Sequence, residues 1–399
     1  MLSVLAAGLV AAVTARQLGP AGRGTLVVLL MLAQLGVFIS GLGVNISGRV
    51  ELAAPENPVQ FTAYLGLSLA LATAQAVLCG AIGLTLLPLA GIRLGLVDLG
   101  LFAFLGAVFL MQLLLVDALN AFGSTVQAAV VEAVAFTLQL AMVVGLAAAG
   151  ASALRLFVLV FILAGVFQII AALAYLRRRS IPLGVKYRPD DWRRLVRKGL
   201  PAIGTELSQV LTFRIDRYLV AIFLNPAAVG IYSVAATATE VLRVAPLALS
   251  QSIFYRIASG SASVDDFRGA RRACVGLTVG LAGVLFLTAP LAVRIAFGME
   301  FAPAVIPLRI LLLAELGMTI FYLNGASLLG LGRLGAGSVA CLVGLLVVVV
   351  ADLLLIPTYQ LAGAAWASVL AYSVMGIMAY LLLVRTKGQD AASRQLLTQ

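Results

Sequence analysis

The sequence predicts an all-α polytopic membrane protein, with about twelve transmembrane helices in two six-helix lobes related by a parallel pseudo-two-fold repeat. Three observations carry that reading. Of the 399 residues 62% are apolar and 11% charged, against about 25% charged in an ordinary soluble domain, and the mean hydropathy is +1.11. The 27 Lys and Arg and the 16 Asp and Glu cluster between uncharged stretches such as Gly24 to Gly48 and Asn57 to Ile92, each long enough to supply the roughly 20 apolar residues of a spanning helix. A short motif also recurs at matching places in the two halves. A transmembrane barrel would instead need short segments of alternating polarity.

Taken in order, apolar runs bounded by charge or by Gly and Pro place spans near 1–18, 24–47, 61–90, 98–119, 124–149, 154–176, 200–224, 228–252, 273–296, 305–329, 335–356 and 361–384. Met1 opens directly into an apolar run without a basic leader, and Thr14 to Pro20 leads into the next helix rather than into a signal-peptide cleavage site. The longest connection, Arg177 to Gly199, divides the chain into an N-terminal lobe (1–180), a basic linker (181–199) and a C-terminal lobe with a short tail (200–399). In the linker Asp190 is a candidate N-cap, and Trp192, Leu195 and Val196 share one helical face. The simplest reading is a short interfacial helix that anchors an aromatic ring at headgroup level.

Orientation follows from the Lys and Arg of alternate loops, because cytoplasmic loops hold the excess. One side carries eighteen: Arg49, the nine from Arg177 to Lys198, Arg256, Arg268, Arg271, Arg272, Arg333, Arg385, Lys387 and Arg394. The other carries six: Arg16, Arg23, Arg93, Arg155, Arg294 and Arg309. Both termini are therefore expected in the cytoplasm, and the net charge of +11 is a topological signal rather than a nucleic-acid footprint.

The repeat pairs Leu18-Gly-Pro-Ala-Gly-Arg-Gly24 with Leu224-Asn-Pro-Ala-Ala-Val-Gly230, and Ala118-Leu-Asn-Ala-Phe-Gly123 with Ser327-Leu-Leu-Gly-Leu-Gly332. Six spans per half keep equivalent loops on the same side, which predicts a parallel repeat of the kind that places a substrate path between two rocking halves.

Several chemistries are excluded by composition. Histidine is absent, which removes His-dependent hydrolysis and the commonest metal ligand. Cys79, Cys274 and Cys341 lie in apolar runs without metal-ligand spacing, so they read as packing residues. No P-loop, GxSxG, HExxH or DxD appears, so neither an enzyme nor a bound cofactor or metal is expected.

Charges inside spans are costly and face a partner or a wet cavity. Helix seven carries Glu206, Gln209, Arg214, Asp216 and Arg217 on one side, and helix eight adds Glu240 and Arg243 at a spacing that lets them pair. On the functional reading Arg214, Arg217 and Arg243 line a cavity and hold a phosphate or pyrophosphate, assisted by Gln209, Arg16 and Arg23. Glu206, Asp216 and Glu240 then set the arginines' orientation or couple to ions. The bland reading is mutual neutralisation for Arg214, Arg217 and Arg243, and interfacial snorkelling for Arg16 and Arg23. In the first half Asp117 reads as a helix-end residue, Glu132 as a candidate coupling acid, and Asp352 near a span end receives the same discount as Asp117. Pro88, Pro201, Pro246, Pro290 and Pro307 are hinge candidates, with span ends as the simpler alternative.

The LGPAGRG turn, Arg188-Pro-Asp-Asp-Trp192 through Lys198-Gly-Leu-Pro201, Asp216-Arg-Tyr-Leu219 to Val229-Gly-Ile-Tyr-Ser233, Phe297-Gly-Met-Glu-Phe301, and Leu355-Ile-Pro-Thr-Tyr359 through Gly363-Ala-Ala together resemble the polysaccharide biosynthesis (Wzx-type O-antigen) flippases. These belong to the superfamily of lipid II flippases and multidrug and toxin extruders. Gln360 stands where that family more often has Gly. The resemblance implies two six-helix lobes around an alternating-access cavity, and transfer of a polyprenyl-pyrophosphate-linked oligosaccharide from the cytoplasmic to the outer leaflet of a bacterial inner membrane. Expected partners are that lipid-linked sugar, the bilayer and other polysaccharide assembly proteins. The alternatives are a cation-coupled drug or metabolite antiporter of the same architecture, a glycosyltransferase or polymerase subunit, and a non-transporting subunit of a polysaccharide synthesis complex.

Overall fold

The computed structural model describes residues 2–55 and 59–397, leaving undescribed the side chains of residues 2–6, 202, 205, 206, 209, 334 and 387–397. Among the described residues it contains twelve α-helices and no strand. They are α1 (Leu2–Ser40), α2 (Val44–Leu52), α3 (Phe61–Leu89), α4 (Leu96–Ala121), α5 (Thr125–Ala148), α6 (Leu154–Arg178), α7 (Pro189–Phe223), α8 (Pro226–Glu240), α9 (Val244–Ala258), α10 (Arg268–Phe297), α11 (Val305–Gly330) and α12 (Leu334–Leu397).

Twelve spans and twelve helices are not the same twelve. Among the described residues nine helices are long and apolar enough to cross a membrane, counting α8 with α9 as one, and α7 falls outside that set because of its charges. Two of the nine are broken in the middle, α1 at Gly19 (φ 63) and α12 at Gln360 (φ 52), so each supplies two spans. The all-helical, multi-pass membrane architecture is thus as the sequence predicts, with local differences. The second span ends at Ser40, and α2 follows as a separate helix after the Gly41–Gly43 turn. The eighth is interrupted by a 3₁₀ turn at Val241–Arg243 and continues to Ala258. The linker helix is not separate, since α7 runs unbroken for 35 residues through Pro201. Its first helical residue is Pro189, whose fixed φ and missing N–H suit that position, so Asp190 lies in the first turn rather than at the cap.

None of the prolines expected as hinges sits at either break. Pro246 and Pro307 lie in the first turns of α9 and α11, where a missing N–H costs little, Pro88 lies near the end of α3, and Pro201 and Pro290 lie inside α7 and α10, which continue through them.

The chain divides into two compact units. One comprises Leu2–Leu207 with Asn225–Gly230. Its core holds the fully buried Phe102, Leu105, Leu110, Leu114 and Leu115 of α4 with Leu26, Tyr64 and Phe157. Two buried polar groups fasten helices to one another: Tyr64 Oη donates to Leu114 O at 2.9 Å and Gln75 Nε2 to Ala33 O at 2.9 Å, each satisfying a group that apolar surroundings would otherwise penalise. The linker is pinned to the same unit. Trp192 Nε1 donates to Ala63 O at 2.9 Å, Leu195 is buried, and Arg194 and Lys198 both meet the buried Glu51 carboxylate. Trp192 is therefore tied to protein backbone and not simply left at the headgroups.

Within this unit the first repeat motif meets its own copy. Pro20 and Pro226 each restart a helix after a break, and a Cβ on Gly24 would overlap Pro226 O while one on Gly230 would overlap Pro20 O. Glycine is required at both places by the closeness of the two backbones.

The second unit comprises Ser208–Leu224 and the chain from Ile231. Its core packs Ala314, Met318 and Phe321 of α11 against Ala340, Cys341, Val348, Ala367, Ala371, Tyr372 and Met375 of α12. Small residues let α11 and α12 approach closely: a Cβ on Gly317 would fall 2.6 Å from Tyr372 O and one on Gly376 2.6 Å from Gly317 O. The second repeat pair folds alike in both places. Gly123 (φ 70) and Gly332 (φ 76) end α4 and α11, and the next residue's N–H reaches back to Leu119 O and Leu328 O at 2.9 Å, the six-residue closure of a glycine C-cap.

Candidate functional site

Arg214, Asp216 and Arg217 of α7 and the charges of the α8–α9 junction sit in the second unit, which holds two ion pairs and a carboxylate cluster. On α7 the buried face repeats every four residues through Thr212, Asp216 and Val220, with Arg217 buried beside it. Arg217 Nη2 reaches Glu240 Oε1 at 2.5 Å. Arg243 does not pair with Glu240 three residues before it, as the spacing suggested. It forms a fork on Glu315 of α11, with Nε to Oε2 at 2.8 Å and Nη2 to Oε1 at 2.7 Å, and its guanidinium also lies 5.7 Å from the Tyr372 ring centroid. The reason is geometric: a buried carboxylate on a facing helix offers two oxygens to the planar fork.

The two pairs differ in access. The Arg243 and Glu315 side chains are 16% and 3% exposed, whereas those of Arg217 and Glu240 are 9% and 33% exposed. The first is enclosed and cross-links α11 to the start of α9. The second has one partner open. Arg214, one turn before Arg217, lies within the electrostatic reach of Glu240 and Asp216.

Asp216 belongs to a different cluster. Its Oδ2 accepts from Tyr232 Oη at 2.7 Å and from Ser368 Oγ at 3.3 Å, linking α7 to α8 and to the second half of α12. Asp352, in the first half of α12, lies within electrostatic reach of both Asp216 and Tyr232. It is 0% exposed, and neither carboxylate oxygen has a hydrogen-bond partner among the described residues. A buried carboxylate without donors is costly, so Asp352, within electrostatic reach of a second buried carboxylate that has donors, Asp216, and of a phenol, offers chemistry suited to a proton or a small cation.

The other expected residues are placed as follows. Arg23 is buried, and its Nη1 donates to Thr14 Oγ1 at 2.8 Å, bracing α1 across the break at Gly19. Arg16 is exposed on the segment before that break. Glu132 is exposed on α5 without a partner among the described residues, unlike the buried acids above. Asp117 is the reverse: 1% exposed, it accepts from Arg49 Nε at 2.8 Å. The side chains of Glu206 and Gln209 lie outside the described residues. Among the described residues no three His, Cys, Asp or Glu side chains gather as metal ligands.

One acid escapes the sequence reading: Glu315 is a lone carboxylate in the middle of an otherwise apolar span, the kind of signal that singles out α7. Asp352, read from the sequence as a span-end residue, is fully buried.

The fold is similar to that of solved structures described as MATE family transporters and as a lipid II flippase. A structure described as the inward-facing conformation of a multidrug resistance MATE family transporter of the MOP superfamily matches with a TM-score of 0.73 at 13% identity, over 98% of this chain and 96% of that one. One described as lipid II flippase MurJ in an inward closed conformation matches with a TM-score of 0.75 at 12% identity, over 96% of this chain and 85% of that one. A mutant of the Vibrio cholerae MATE transporter VcmN matches with a TM-score of 0.61 at 16% identity, over 96% of this chain and 94% of that one. A comparison with curated proteins finds no match. The model of the family described as polysaccharide biosynthesis protein matches residues 1–255, and the chain belongs to that family.

Proposed function

We propose that this protein is a flippase that carries a polyprenyl-pyrophosphate-linked oligosaccharide from the cytoplasmic to the outer leaflet of a bacterial inner membrane, with both termini in the cytoplasm, for polysaccharide assembly. The headgroup passes by alternating access of two lobes while the polyprenyl tail stays in lipid, and no covalent step is needed. Family membership and the exporter fold support transport, and one observation carries the anionic cargo: Arg217 is buried in a span yet paired to a Glu240 that is one-third open. A diphosphate can displace such a carboxylate and take its place on the guanidinium, with Arg214 alongside. The enclosed Arg243–Glu315 pair is assigned to positioning, as is Arg23, while Asp216 and Asp352 serve as the cation or proton site that drives return.

Reconstituted into liposomes with a fluorescent polyprenyl-pyrophosphate glycolipid, the wild type should flip the probe, and Arg217→Ala and Arg214→Ala should slow it more than the corresponding Lys variants. Unaltered flipping across all four variants would refute the phosphate role. The rival antiporter reading shares the fold, and it gains if cations drive uptake of small amphiphiles while the glycolipid stays in place.

A further inference from the structure

Basic residues are scarce on the side assigned to the outside, where the positive-inside tendency selects against them. Two of those six, Arg93 and Arg155, nonetheless line a single cavity of about 910 Å³ inside the first unit. That is the size of a pocket for a drug-sized ligand. The turn after α3, the second half of α1 and the first turns of α4, α6 and α8 border it, with Asp98, Asn225 and Thr25 as its other polar side chains, the Thr25 hydroxyl donating to Ala21 O at 3.0 Å.

The charges in it are unequal. Arg155 is occupied by Asp98, with Nε to Oδ1 at 2.7 Å and Nη2 to Oδ2 at 3.2 Å. Arg93 is exposed and has no partner among the described residues. Asn225 Oδ1 accepts from Ala228 N at 2.9 Å, leaving its amide as a donor. One cation is thus left over in the cavity, which the first turns of three helices border with the positive ends of their dipoles. Much of the remaining lining is apolar, with Leu29, Leu101 and Val158. A surplus cation in a largely apolar lining fits an amphiphile whose head is an anion.

We propose that this cavity binds the phosphate headgroup of a lipid, with Arg93 as its countercharge, Asn225 as a second donor and the apolar wall receiving the first carbons of the tail. Two lipids present that chemistry, an anionic phospholipid and a polyprenyl phosphate. The site shares no residue with the α7 arginines and needs no transport to be observed, so its failure and that of the flippase reading are separable.

The full-length protein in detergent is titrated with phosphatidylglycerol, undecaprenyl phosphate or dioleoylglycerol, and bound lipid is counted by native mass spectrometry. Wild type should bind a phosphate lipid and not dioleoylglycerol. Arg93→Gln should weaken that binding about tenfold, the loss of one charge-assisted contact, with its unfolding midpoint unchanged because the side chain is exposed. Asp98→Asn, which frees the Arg155 fork, should tighten it. Whichever lipid shows the Arg93 dependence is the source of the phosphate. Arg93→Gln binding within about twofold of wild type for both lipids, well short of one charge-assisted bond, overturns the proposal, as does dioleoylglycerol binding equally or Asp98→Asn failing to tighten.

Discussion

Replacing Glu315 by leucine leaves the Arg243 guanidinium in an enclosed site with its three hydrogen bonds of 2.7, 2.8 and 3.1 Å removed. Truncating one partner of a buried ion pair costs about 3–5 kcal/mol, whereas replacing both by apolar residues is close to neutral. Two features of the site set where in that range the loss falls. The Tyr372 ring keeps its contact with the cation, and Glu240, already within electrostatic reach of Arg243, offers a partial substitute. Both argue for the lower end, about 3 kcal/mol. The assay is a double-mutant cycle on unfolding in detergent with Glu315→Leu, Arg243→Leu and the pair. Both single changes should be costly and the double change should recover most of the loss, giving a coupling of at least about 2 kcal/mol. A coupling below about 0.5 kcal/mol, the range of independent sites, would show that the fork contributes nothing as a pair and refute the reasoning.

Gln360 holds φ 52 and ψ −128 on an exposed turn, a backbone region that favours glycine, so Gln360→Gly should stabilise the protein by about 1 kcal/mol, read as a higher unfolding midpoint. Gly24→Ala and Gly230→Ala should each destabilise it by about 1–3 kcal/mol, because the added methyl meets backbone carbonyls that cannot rotate away; unchanged midpoints would deny the close approach. Glu51→Gln should loosen the linker helix from α2, seen as faster tryptic cleavage at Arg194 and Lys198, with Asp117→Asn, which leaves the linker contacts in place, as the control. Asp352→Asn, which removes the carboxylate without donors, should abolish any dependence of transport on a cation or proton gradient while leaving passive binding of cargo intact.

Span-level architecture was legible because charge is so costly in a bilayer that it marks the loops, and the spans from α3 to α6 follow their apolar runs closely. Glycine carried more local information than proline. Gly123 and Gly332 end their helices as the repeat implied, and the position where the resembling family more often has Gly is the one that breaks α12. Pro246 and Pro307 looked like hinges only because sequence does not tell a first turn from an interior, whereas Pro201 and Pro290 lie inside helices that continue through them. Pairing was the least legible property. Spacing along one helix suggested Glu240 with Arg243, but the acid that won lies on α11, and which carboxylate faces which fork depends on packing between helices. Trp192 illustrates the same limit: amphipathicity put it at an interface without saying that the interface includes the backbone of α3.

The glycines of the LGPAGRG turn and its copy have an evolutionary corollary. Each half of a duplicated chain ordinarily drifts on its own, but here the vacancy beside one glycine is filled by the main chain of the other copy, and the reverse holds as well. A larger residue in either copy cannot be accommodated by trimming a neighbouring side chain, since none is in the way. The two positions are therefore bound to a shared fate, and duplicates that diverge freely elsewhere have to remain alike at this point.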